Sequence, residues 1–141
     1  MTAPVSRSPL HAVQMALYRR LKDDPALTAL ATGGVWDEVP EGTPYPYIRI
    51  GDHLSTPDND HGGFGREVTV TIHVWTKARG NSQGQGIAGR IGELLDHRPR
   101  DLAVVGHRVV SIRQEFDQAF PDANPELRHH VIRFRIITDQ E

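Results

Sequence analysis

Residues Arg66–Lys77 read R-E-V-T-V-T-I-H-V-W-T-K. Val68, Val70, Ile72 and Val74 alternate with Thr69, Thr71, His73 and Trp75. A period of two with β-branched residues predicts a strand, one face aliphatic and in the core. The other face is polar until Trp75, which suits solvent or a partner rather than a second core layer.

Downstream, Gly80–Gly86 is polar and glycine-rich. Asn81 or Ser82 is placed to cap a helix running to about Asp96. Ile87, Ala88, Ile91, Leu94 and Leu95 form its apolar stripe. Gly84, Gly86, Gly89 and Gly92 weaken that helix by ~1 kcal/mol each relative to alanine, unless they serve close approach to a sheet. His97-Arg98-Pro99 ends it. Leu102–Val105 and Arg108–Phe116 flank Gly106-His107, which reads as a hairpin or bulge. Asp117–Glu126 is an acidic, proline-containing loop. In the final strand His130, Ile132, Phe134 and Ile136 share one face, and Val131, Arg133, Arg135 and Ile137 the other.

Upstream, Ser8-Pro9 signals a helix start. Leu10, Val13, Leu17 and Leu21 follow at spacings of three and four and form one stripe. Arg19, Arg20 and Lys22 suit the C-terminal end of the helix dipole. Asp23-Asp24-Pro25 stops this helix and caps a short second one, which Gly33-Gly34 closes. Val35-Trp36 begins an extended segment, Pro40–Pro46 is a connector, and Tyr47–Gly51 is a short strand. His53–Gly63 holds Pro57, Asp58-Asn59-Asp60 and Gly62-Gly63, the composition of a hairpin loop or arm. These stripes predict an α+β fold: a mixed, largely antiparallel sheet with two main helices packed on one face. A single domain spans 1–141, with a frayed leader at 1–8 and mobile loops at 53–65 and 117–127.

At 141 residues the chain can bury a core without staples, and it contains no cysteine. Disulfides and thiolate metal sites are therefore excluded. A formal net charge of −2 gives no basic excess for nucleic-acid binding. No apolar run approaches the ~20 residues of a membrane span, and Met1–Pro9 lacks a signal-peptide core.

Catalytic signals are weak. Eight histidines invite a metal site, but H-x₃₋₅-H and H-E-x-x-H spacings are absent. His129 and His130 point to opposite faces of a strand, and His53 and His61 converge with Asp58 and Asp60 only if their loop folds back. Gly84, Gly86 and Gly89 match G-x-G-x-x-G, yet no strand–helix–strand unit with an acidic terminus follows. No G-x-S-x-G elbow occurs. No catalytic, cofactor or metal residue is therefore assigned. Arg128, Arg133 and Arg135, with Arg108 and Arg113, form a basic strip on the closing strands, read either as a patch for phosphate or for the acidic surface of a partner, or as a solvated face with cross-strand acidic partners. Trp36 suits the core. Trp75 suits either the core edge or a subunit interface.

The order of signals resembles the small tail-completion, or tail-terminator, proteins of long-tailed phages and phage-derived particles. It is carried by the first helix with Asp24-Pro25-Ala26-Leu27; by Val35-Trp36-Asp37-Glu38-Val39-Pro40; by Pro44-Tyr45-Pro46-Tyr47-Ile48-Arg49-Ile50-Gly51; by Val74-Trp75-Thr76 before a glycine-rich helix start; and by Ile87 to Leu95 before two closing strands. The resemblance runs from about Leu10 to Thr138. It implies a virion structural protein without catalysis or cofactor, forming a ring, hexameric in the family, at the head-proximal end of the tail tube. Such a ring ends tube polymerisation and docks the head connector. Its implied partners are further copies of itself, the tail-tube protein and the connector or neck proteins. DNA passes through its lumen without specific binding. Arg66, Trp75, Arg133 and Arg135 are the expected subunit contacts, and Asp58 and Asp60 the expected lumen or assembly arm. A head-closure or other neck protein, or a small ligand- or metal-binding domain, are the alternatives.

Overall fold

The computed structural model describes residues 3–59 and 63–141. Its elements are α1 (Leu10–Lys22), α2 (Pro25–Leu30), β1 (Val35–Trp36), β2 (Tyr47–Pro57), β3 (Gly65–Thr76), α3 (Ser82–Leu95), a 3-10 turn at Pro99–Asp101, β4 (His107–Pro121) and β5 (Arg128–Gln140). The five strands make one sheet in the order β1-β2-β3-β5-β4. Among the described residues only β1 runs parallel to its neighbour, and every other pair is antiparallel. The fold is α+β, as the stripes predict.

The central strand is the one that the Val/Thr alternation marks. Val68, Val70, Ile72 and Val74 of β3 are fully buried, and each pairs with a residue of the same face in β5: Ile136, Phe134, Ile132 and His130. Val13, Leu17 and Leu21 of α1 and Ile87, Ile91 and Leu95 of α3 close over that face. Among the described residues, no helix covers the opposite face. Both layers' apolar stripes are thus spent on one interface, as a two-layer fold requires.

Local signals explain the element ends. The Asp24 side chain accepts from the Leu27 N–H at 2.8 Å and caps α2. It also accepts from Arg90 Nε at 2.9 Å and Nη2 at 2.7 Å, tying α2 to α3. At α1 the cap position is Pro9, one residue later than expected, while Ser8 Oγ still accepts from the Leu10 N–H at 3.3 Å. Asn81 precedes α3 without a side-chain cap. Among the α3 glycines, Gly84 and Gly92 face the sheet: an added Cβ would lie 3.5 Å from His130 Cβ and 3.0 Å from Gln114 Oε1 respectively.

Two expectations are corrected. Leu102–Val105 is not a strand, so no hairpin forms at Gly106. Instead Leu102 and Val104 drop into the core from an irregular segment that follows the 3-10 turn, and Gly106, at φ +79°, turns the chain into β4. The segments read as loops at 53–65 and 117–127 are in part strand. β2 continues through Pro57 opposite Arg66, and β4 through Pro121 opposite Arg128. Each extension sets one large apolar residue, Leu54 or Phe120, among polar residues and a proline, so composition hid it; each is held by its ladder with the neighbouring strand. The G-x-G-x-x-G glycines lie inside α3, as a helix start at Asn81 or Ser82 requires.

Candidate functional site

The uncovered sheet face is the most distinctive surface. Strand alternation places Tyr47 and Arg49 of β2, Thr69, Thr71, His73 and Trp75 of β3, and His129, Val131, Arg133 and Arg135 of β5 on it. From β4 come Arg113, Phe116, Gln118 and Phe120. The face divides into two regions.

One end is aromatic. Tyr47, Trp75, His129 and Phe120 are successive cross-strand partners. The Trp75 and His129 rings stack at 4.0 Å with 6° between planes, and Tyr45 lies 5.3 Å from Tyr47. His73 Nδ1 sits 2.7 Å from His129 Nε2. Burial, and then the neighbouring His73, push the His129 pKa down to about 4. Burial also lowers His73, helped by Arg49. Two neutral imidazoles therefore share one hydrogen at neutral pH.

The middle is charged and internally paired. Glu115 lies 3.6 Å from Arg133 and 3.3 Å from Arg135, and Arg135 lies 3.3 Å from Glu67. Arg133 and Arg135 of the basic strip thus have the cross-strand acidic partners of a solvated face. Exposed pairs of this kind contribute little to stability.

The four expected contact residues do not share a face. Trp75, Arg133 and Arg135 lie on the open face. Arg66 has the parity of Val68 and lies on the helix side, where its guanidinium donates to Ser55 Oγ and Ser6 Oγ at 3.2 Å each. Asp58 is exposed at the β2–β3 turn, where its N–H donates to the Gly65 carbonyl at 2.8 Å. Asp60 lies outside the described residues. Trp36 is half-buried at the sheet edge, its Nε1 donating to the Gly33 carbonyl at 2.7 Å. Sequence reasoning missed the His73–His129 pair and the aromatic row, because both depend on the register between strands distant in sequence.

The grooves carry little chemistry. In the one lined by Arg19, Arg20, Asp23, Asp24 and Asp101, Asp24 is held by Arg90 and Arg20 by Asp101 and the Leu94 carbonyl. Another, of about 340 Å³, lies between α1 and β1 and is lined by Met15, Tyr18, Val35, Trp36 and Ile50 among others. Among the described residues no three His, Asp or Glu side chains converge as metal ligands. No helix among them is long and apolar enough to cross a membrane.

A profile of the tail completion protein gp17 family matches residues 15–139. The tail completion protein gp17 of Bacillus phage SPP1 is 33% identical over 124 residues, covering 88% of this chain and 90% of that protein. Its solved structure superposes with a TM-score of 0.60 at 27% identity, covering 89% of this chain and 88% of that one. A chain in the virion of a native gene transfer agent particle superposes with a TM-score of 0.84 at 26% identity, covering 95% of this chain and 99% of that one. The chain belongs to the tail completion protein gp17 family and is a virion structural protein of a phage-type tail.

Proposed function

We propose that this protein closes into a ring, hexameric as the family resemblance implies, at the head-proximal end of the tail tube. There it stops tube polymerisation and presents a docking surface to the head connector. The observation that carries this reading is the open sheet face: a folded domain leaves a row of aromatic side chains and an arginine–glutamate network without a covering layer. Exposed aromatic and arginine side chains are the residue types that protein interfaces favour. In this reading Trp75, Arg133 and Arg135 serve one contact, and Arg66, on the other face, a different one. That split suits a head-to-tail ring, in which each subunit uses two unlike surfaces.

Asp58 at the β2–β3 turn is the described part of the acidic arm, which in this reading faces the lumen and keeps passing DNA from sticking. Catalysis has no part in this function. The test is particle production without the gene. Tails of uncontrolled length, detached from filled heads and rescued by supplying the protein, are expected. Normal-length tails joined to heads would overturn the reading.

A further inference from the structure

The two outer edges of the sheet are each open over part of their length only. On β2, β1 pairs only with Ile48 and Arg49, so Gly51–Pro57 has no partner on its outer side among the described residues. On β4, the Ile112 carbonyl accepts from the His97 N–H at 2.9 Å and the Gln114 N–H donates to Asp96 Oδ1 at 2.8 Å. The segment after α3 thus caps the first half of β4, and among the described residues leaves Glu115–Pro121 open. The two open stretches are equal in length, and each ends in a proline, which a strand tolerates at its ends.

We propose that Glu115–Pro121 of one copy pairs antiparallel with Gly51–Pro57 of the next, carrying one continuous sheet around the assembly. This rests on the ring reading above. Direction fits, because strands alternate from β2 to β4 across the sheet, so a following β2 runs opposite to β4. The backbone fits as well. Asp58 turns its N–H inward to Gly65, so by alternation Ser55 and His53 turn theirs outward. On β4 the helix-side residues point outward, as Ile112 and Gln114 do, which extends to Asp117 and Ala119.

Matching these groups makes His53–Ala119 and Ser55–Asp117 the hydrogen-bonded pairs and puts Leu54 opposite Gln118. Side chains agree with that register. Leu54 is 58% exposed, Phe116 42% and Phe120 38%, and all three lie on the open face. Leu54 then enters between the two phenylalanines. On the helix side, Asp117 arrives opposite Ser55, whose hydroxyl the Arg66 guanidinium already holds, so a carboxylate meets a cation. A slip of one residue would send Leu54 and the phenylalanines to opposite faces. Because the two edges differ, the contact is heterologous and propagates until it closes.

The chain has no cysteine, so cross-linking is clean. Within one chain, positions 54 and 118 lie three strand spacings apart, roughly 14 Å, beyond disulfide reach. The full-length double variant Leu54→Cys with Gln118→Cys should, on oxidation in the presence of its tail-tube protein, give a ladder of covalent multimers. Leu54→Cys with Ala119→Cys should not. Leu54→Lys should abolish ring formation, whereas Val105→Lys, at an apolar position 76% exposed elsewhere, should preserve it. Rings that form without 54–118 cross-links, or that tolerate Leu54→Lys, would overturn the edge pairing and leave the ring reading standing. Failure of the unsubstituted protein to form rings even with tubes would overturn both.

Discussion

His73 Nδ1 and His129 Nε2 lie 2.7 Å apart on adjacent strands, with the Trp75 indole flat against the His129 ring. At that separation one imidazole donates and the other accepts, so the contact survives only while at least one ring is neutral. Burial lowers both rings first, and the surrounding charges adjust the balance. Arg49 on β2, together with His73 and His130, disfavours a charged His129, while Asp122 favours it; Asp52 favours a charged His73.

The folded pKa of His129, about 4, lies below the ordinary histidine value of 6.5. Between these values the unfolded chain binds more protons, so stability rises with pH across that window and levels off above it. His53, His73, His107 and His130 are also lowered, each chiefly by burial, and act in the same direction. Urea midpoints measured from pH 4 to pH 7 are expected to climb to about pH 6.5 and then flatten. His129→Asn should shallow the climb. An unchanged slope in that variant would remove His129 from this account.

Asp24 joins three elements. Its carboxylate caps α2 and takes two guanidinium hydrogen bonds from α3, and the Arg90 hydrogen bonds hold its pKa below the usual carboxylate value. Losing a cap costs ~1 kcal/mol, and a charge-assisted hydrogen bond contributes ~1.5–3 kcal/mol. Asp24→Ala should therefore destabilise by about 2–4 kcal/mol. Asp24→Asn should recover the cap portion. Because the folded pKa is depressed, the Asp24 contribution is present above about pH 3.8 and is lost as pH falls through the folded value. Equal losses in the Ala and Asn variants would show that the cap carries nothing.

Gly33 is required by space. A Cβ there would lie 2.0 Å from the Pro44 carbonyl oxygen and 2.7 Å from that of Pro46. Its N–H donates to Pro46 at 2.7 Å, which seats β1 beside β2. Backbone must move to admit a methyl, so Gly33→Ala should cost about 1–3 kcal/mol. Gly86→Ala, where nothing lies within 4 Å, should be neutral or stabilising. Equilibrium denaturation distinguishes the two.

The arginine–glutamate network predicts a small effect. Glu115 contacts two half-exposed arginines. Glu115→Gln should change the stability of the isolated chain by less than about 1 kcal/mol. A larger loss in thermal or urea melts would mean that the face is less solvated than its exposure indicates.

How much of this was legible in the sequence varies by element. The Val68–Val74 alternation and the Ile87–Leu95 stripe named the sheet's centre and the helix above it, because periodicity survives without tertiary context. Asp24-Pro25 announced its own cap. The polar ends of β2 and β4 were hidden, since Ser55-Thr56-Pro57 and Asp117-Gln118 are loop-like in composition and become strand only through β3 and β5. The site was harder still. Trp75 was visible as a tryptophan on a polar face, but its stacking partner His129 comes from a strand that sequence distance does not tie to it. Arg66 is expected to share a contact with Trp75, Arg133 and Arg135, and strand parity separates it from them.

The central claim is that this protein ends tube growth as a ring. Negative-stain electron microscopy of the purified protein mixed with its polymerising tail-tube protein addresses it most directly. Rings seated at one end of tubes, with mean tube length falling as more protein is added, are the expected result. Tubes of unchanged length with bare ends at every ratio would contradict it.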